Sequence, residues 1–229
     1  MAATATPTGR NGLVTVRPHV PLAARLADPV PVGLAGFGLS TFVLSMINVG
    51  FLDKAALPVV FGLALAYGGL LQLLAGMWAF VRNNTFAAVA MSSYGAFWIS
   101  FWALNTFFLK QIPAGEQNDA QALFLIAWGV FTFYMWIVSF RVNLVVNLVL
   151  LTLWIAYILL GLGFSVPSTG LMHVGGAFGI ATALLAWYVS FAETLNNTVG
   201  RSALPLRPLG NRKVDAVPEG PEAYRPVAP

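Results

Sequence analysis

Residues 144–164 read LVVNLVLLTLWIAYILLGLGF, twenty-one consecutive positions without a charge. A helix that crosses a bilayer needs about 20 mostly apolar residues. This run is apolar around its whole circumference, which a surface helix of a water-soluble fold is not. In hydrocarbon the backbone must satisfy its own N–H and C=O groups, so the run is expected to be a helix. A membrane barrel would show alternating segments of about 10 residues. This run is continuous and about twice as long, so a barrel is excluded.

Five further stretches have the same character, over residues 32–50, 58–81, 85–109, 121–140 and 171–192. Together the six predict an all-α integral membrane protein, a six-helix bundle. Composition agrees. Of 229 residues, 58% are hydrophobic and only 9% charged, where a soluble domain carries about 25% charge. Residues 28–195 are therefore expected to form one transmembrane domain. Residues 1–27 form a disordered N-tail with no apolar core segment of a secretory signal. Residues 196–229 form a disordered, Pro-rich C-tail.

The basic residues set the orientation. Arg10, Arg17, Arg25, Arg82, Arg141, Arg201, Arg207, Arg212, Lys213 and Arg225 share one side; Lys54 and Lys110 alone lie on the other. The positive-inside rule puts both termini in the cytoplasm of a plasma-membrane protein. The net charge of +4 sits in tails and loops, which argues against a nucleic-acid partner.

Chemistry that needs a nucleophile or a metal finds no support. There is no cysteine, and the histidines are His19 and His173. Neither a Walker A motif nor a metalloprotease or nucleophile-elbow motif is present. No metal, no cofactor and no enzymatic activity are expected. The centres of the spans hold no acidic or basic residue. That argues against a pump driven by a buried carboxylate.

The spans do hold neutral polar stripes at helical spacing. Phe37, Ser40, Thr41, Leu44 and Asn48 form one on the first span. Gly68, Gln72 and Gly76 form one on the second, and Tyr94, Trp98, Phe101 and Asn105 one on the third. Asn143 and Asn147 lie one turn apart at the start of the fifth, with Thr152 further along. A lone hydroxyl reads as glue between helices, worth about 0.6 kcal/mol per contact. Gln72, Asn48 and Tyr94 together read as a path for a small polar solute, because amides and phenols need more partners than packing supplies. The many span glycines imply a tight bundle and a narrow pore.

The first span opens with Asp28, Pro29, Val30, Pro31, Val32, Gly33 and Leu34. Asp28 is expected as the N-cap, with proline tolerated in the first turn. The positive end of that helix suits an anion. The run from Asp28 to Phe37 resembles the signature of the acetate uptake transporter family, Asn-Pro-Ala/Val-Pro-Leu/Phe-Gly-Leu-x-Gly/Ser/Ala-Phe. Tyr67-Gly68-Gly69, Gln72, Ala75-Gly76-Met77-Trp78 and Asn84-Thr85-Phe86 follow the family order, as do Ser93-Tyr94-Gly95 and Phe97-Trp98. Trp128 to Thr132, His173 and the stretch 200–205 also match. The likeness covers about residues 28–206.

The resemblance implies six-helix protomers that assemble as homohexamers, each with its own narrow central pore. It implies transport of acetate and other short monocarboxylates, with succinate for some members. It places the constriction at Phe37, Tyr94 and Leu153. Tyr94 and Gln72 would then donate to carboxylate oxygens, with Ser40, Thr41, Asn48 and Trp98 along the path. A ring edge at Phe37 can face a carboxylate without a fixed charge. His173, near the outer end of the sixth span, is a candidate pH sensor. Two positions depart from the family pattern: Asp28 replaces the usual Asn, and Ala79 stands where many members have Glu. Passage is expected to be channel-like or proton-coupled. The alternatives are a pore for another small solute such as ammonia, or a non-transporting membrane sensor.

Overall fold

The computed structural model describes residues 26–210. Most of both tails, residues 1–25 and 211–229, lies outside the described residues. Six helical spans, long and apolar enough to cross a membrane, account for most of the rest: Val30–Asn48, Lys54–Val81, Thr85–Gln111, Gln117–Ser139, Leu144–Ser165 and Thr169–Val199. No strand forms among the described residues; a single isolated bridge joins Asn143 and Pro208.

The first span is the centre of the assembly. It lies along the sixth on one side and against the second on the other. From the sixth, packing continues through the fifth to the fourth; from the second it continues to the third. The backbones of the third and fourth spans stand farther apart, and aromatic side chains fill the seam between them. Glycines permit the tight contacts. A Cβ on Gly176 would strike the backbone at Asn48 and Val49, and one on Gly179 would strike Ser45. Large apolar side chains such as Leu74, Phe80, Leu123, Val130 and Phe191 remain exposed on the outer faces. A bundle in lipid requires that surface.

Side chains fix several helix starts. Asn84, Asn143 and Ser168 accept from the N–H groups of Ala87, Val146 and Leu171 at 3.1, 2.9 and 3.3 Å. Asn143 is thus a cap, not a pore residue. Asn147 donates to Ser139 Oγ at 2.9 Å, which ties the fourth and fifth spans.

Several features depart from the sequence reading. The third span widens into a π-helical stretch at Leu104–Phe108 near its end. The second span is not one continuous α-helix either. Its α-helical parts, Pro58–Leu65 and Gln72–Val81, flank a wider π-helical stretch, Ala66–Leu71. Gly68 and Gly69 sit in that stretch, where a Cβ on Gly69 would strike the Ala64 carbonyl. The Ser40 hydroxyl reaches the Leu63 carbonyl, just before the widening, at 3.4 Å. Such single-turn widenings often occur at functional sites.

A further departure concerns the C-tail. The last helix runs on to Val199 and ends at Gly200, whose φ of 66° is left-handed. Residues 200–210 then fold back as a strap. The Asn196 amide oxygen accepts from the N–H groups of Ala203 and Leu204, and its nitrogen donates to the Leu204 carbonyl. The Tyr188 hydroxyl donates to the Pro205 carbonyl at 2.9 Å, and the Leu144 N–H to the Arg207 carbonyl at 2.9 Å. Leu206 packs on the core. Proline and charge suggested a solvated tail from Asn196; backbone bonds to ordered helices give residues 196–210 a fixed place instead.

Candidate substrate pathway

Phe37 on the first span and Tyr94 on the third meet ring to ring, centroids 5.7 Å apart and planes at 49°. Leu153 on the fifth span belongs to the same buried core. All three are buried, at 2%, 4% and 4% exposure. Helical spacing alone brought out Phe37 and Tyr94. Leu153 carries no polar atom to mark it, and only the family resemblance pointed there.

An aromatic wall backs the three. Phe131 meets Tyr94 edge-on at 5.3 Å, and Phe97 contacts Trp98, Trp128 and Tyr157, each at 5.2 to 5.3 Å. Edge-to-face pairs like these are worth about 0.5–1.5 kcal/mol beyond their buried area. They hold Tyr94 against sideways movement.

The polar side chains cluster between the first three spans. A Cβ on Gly68 would meet Ser40 and the Trp98 ring carbon next to Nε1. Gln72 is 1% exposed, and its amide nitrogen reaches Met91 Sδ at 3.7 Å. A Cβ on Gly33 would strike the same sulfur. Five buried polar atoms on the first three spans have no hydrogen-bond partner: Thr41 Oγ1, Gln72 Oε1, Ser92 Oγ, Trp98 Nε1 and Thr106 Oγ1. Leaving such a group unpaired costs about 1–3 kcal/mol. Native folds seldom leave buried polar groups unpaired without a use for them. The N–H···S contact is weak, so turning the Gln72 amide over would present its two donors at little cost.

Two sequence expectations change here. Ser40 spends its proton on the Leu63 carbonyl and supports the widened turn rather than a solute. Tyr94 does not offer its proton to the pathway: its hydroxyl donates to Thr132 Oγ1 at 3.1 Å. Thr132 and Tyr157, both buried, were not singled out as site residues. The signals were available. Thr132 lies one turn past Trp128, and Tyr157 one turn past Leu153.

The ends of the bundle hold the remaining candidates. Asn48 and His173 line a recess of about 450 Å³ with Asp53, Lys54 and Asn118. The His173 ring lies over Gly50, whose φ of 85° and nearness to Nε2 exclude a side chain. Asn48 and His173 thus belong to a mouth, well apart from Tyr94 in the chain's packing. At the other end Asp28 and Arg82 line a groove of about 590 Å³ with Ser190 and Thr194. Pro29, not Asp28, is the N-cap residue, and the exposed Asp28 carboxylate accepts from the Val30 N–H at 3.0 Å. A carboxylate already sits at that helix start, which speaks against a second anion there. The Ser190 hydroxyl donates to the Pro31 carbonyl at 2.6 Å, Leu34 is buried, and Gly33 admits Met91 and Ala75. Pro31, Gly33 and Leu34 of the signature thus pack the first span against its neighbours.

Comparison with known proteins bears on the family and the fold. The chain is 40% identical over 199 residues to acetate permease A of Emericella nidulans, covering 80% of this chain and 67% of that protein. It is 32% identical over 184 residues to the succinate-acetate/proton symporter SatP of Escherichia coli, covering 80% of this chain and 96% of that one. The solved structure of the bacterial acetate channel SatP superposes with a TM-score of 0.74 at 30% identity, covering 79% of this chain and 99% of that one. Residues 12–210 match the model of the GPR1/FUN34/yaaH family. With six spans, a shared fold and a match across nearly the whole described chain, the protein belongs to the GPR1/FUN34/yaaH family.

Proposed function

We propose that the chain carries acetate and other short monocarboxylates, succinate among the candidates, across the plasma membrane. Its path runs within each protomer of a homohexamer whose termini both face the cytoplasm. The observation that carries this reading is the set of unpaired Thr41, Gln72 and Trp98 polar atoms, with Thr41 and Trp98 one helical turn from Phe37 and Tyr94. In a chain similar to acetate permeases, such a set suits a small solute with one polar and one apolar end.

The chemistry follows from what the site contains. The Thr41 hydroxyl and the Trp98 indole N–H are neutral donors, and Gln72 joins them when its amide turns. Neutral donors bind a carboxyl group weakly enough to release it, as conduction requires. The positive edge of Phe37 tolerates negative charge without fixing it. Leu153 receives the methyl end. No acidic or basic residue lies among these groups, which favours channel-like passage over coupling to a buried carboxylate.

Replacing Gln72 with leucine tests the reading. Protein-dependent acetate uptake into proteoliposomes should fall about tenfold or more, the size of one charge-assisted hydrogen bond. Thermal stability of that variant should hold or rise, because an unpaired buried amide is removed. Unchanged uptake in a folded Gln72→Leu protein would count against the pathway.

A further inference from the structure

Tyr94 has one hydroxyl proton, and its neighbours determine where it points. The phenol lies 3.1 Å from Thr132 Oγ1. The Thr132 hydroxyl lies 2.8 Å from the Trp128 carbonyl, one turn back on its own helix. A carbonyl can only accept, so the Thr132 proton is committed to Trp128. Thr132 then has only lone pairs left for Tyr94, and Tyr94 must donate. Thr132 is fully buried, at 0% exposure, so water does not compete for either bond.

This bond also has a special place in the fold. Among the described residues it is the one side-chain hydrogen bond between the second or third span and the fourth or fifth. Elsewhere the seam between third and fourth spans is closed by aromatic rings, Tyr94 against Phe131 and Trp128 and Phe97 against Phe124 and Trp128. Rings can slide on one another; a hydrogen bond has a direction.

We propose that Thr132 is a positioning residue that sets the constriction against the anion and in favour of the undissociated acid. It does so by holding the Tyr94 proton on the fourth span. The proposal rests on the reading of Phe37, Tyr94 and Leu153 as the constriction. A phenol oxygen whose proton is engaged offers a passing solute only lone pairs. Those lone pairs repel a carboxylate oxygen. They accept from the O–H of a carboxylic acid. The neutral acid therefore passes with the Tyr94–Thr132 bond intact. The anion gains a donor from Tyr94 only when the phenol turns away from Thr132, and that turn leaves a buried Thr132 lone pair and a displaced ring as its cost.

Electrical recording separates the two species, because only the anion carries current. The test measures acetate current across planar bilayers, beside radiolabelled acetate uptake into proteoliposomes, for the full chain and its variants. Thr132→Val keeps the side-chain shape and removes the acceptor. It should raise acetate current per unit of uptake about tenfold, the size of one hydrogen bond to a charged group. Thr132→Ser keeps the hydroxyl and should match the unaltered protein. In a Tyr94→Phe background Thr132→Val should change nothing, because no proton remains to position. A purely structural role would shift both backgrounds alike. Thr132→Ala removes the same acceptor and gives the same reading if the valine variant does not assemble. No rise in current per uptake, or an equal rise in the Tyr94→Phe background, overturns the proposal and leaves the constriction standing. Full acetate uptake in Tyr94→Ala overturns the constriction and this proposal with it.

Discussion

Leu153 and Gln72 show how differently two buried residues in one pathway announce themselves. Gln72 is 1% exposed with an unpaired amide oxygen, so its polarity marks it in the sequence and its missing partner marks it in the structure. Leu153 is an apolar residue in an apolar helix. Its role is bulk. Replacing Leu153 with alanine removes three heavy atoms from the wall of a closed constriction and should admit lactate, which carries one hydroxyl more than propionate. Lactate uptake should rise several-fold, about the 10–200-fold scale that one methylene commands in a hydrophobic pocket setting the upper range. Such core truncations cost about 2–5 kcal/mol of stability, so the variant is expected to melt earlier while its uptake broadens. Continued lactate exclusion in folded Leu153→Ala would remove Leu153 from the constriction.

At the scale of the element, the strap over residues 200–210 is the clearest gain of structure over sequence. Asn196 holds it with three hydrogen bonds. Asn196→Ala should loosen it at a cost of about 1–3 kcal/mol for the unpaired N–H groups. Limited proteolysis is expected to cut near Arg201 and Arg207 faster in that variant. Equal cutting rates would mean that Leu206 and the Leu144–Arg207 backbone bond suffice to hold the strap. The six spans were legible because a bilayer demands long apolar runs, and nothing in the chain competes with that pattern. The strap was not legible, because proline and charge report what a segment avoids, not which backbone groups it will meet. The widened turn of the second span was hidden for a related reason. Gly68 and Gly69 permit close packing and a π turn equally, and the choice is made by Ser40 and Trp98 on neighbouring helices. Likewise, spacing put Phe37, Tyr94, Gln72 and Trp98 on inward faces, but the Tyr94 proton's destination depended on Thr132, a residue from another span.

For the whole molecule, charge distribution and packing order make separate statements. Ten of the twelve basic residues lie on the side of the two chain ends, which sets the proposed orientation. With no native cysteine, single cysteines at positions 54 and 201 report it directly. In intact cells an impermeant maleimide should label Lys54→Cys and spare Arg201→Cys, and the reverse pattern would invert the topology. The bundle itself closes around the first span, with a seam between third and fourth that, among the described residues, Tyr94 and Thr132 bridge by a side-chain hydrogen bond. In the proposed function a charge-free, aromatic-walled path conducts acetate. The decisive measurement is radiolabelled acetate flux into proteoliposomes of the purified protein, with and without an imposed pH gradient and with acetic acid leak through protein-free vesicles subtracted. Protein-dependent flux should follow the acetate gradient and collapse in Tyr94→Ala. No protein-dependent acetate flux would contradict it and turn attention to another solute, such as ammonia, or to a sensing role.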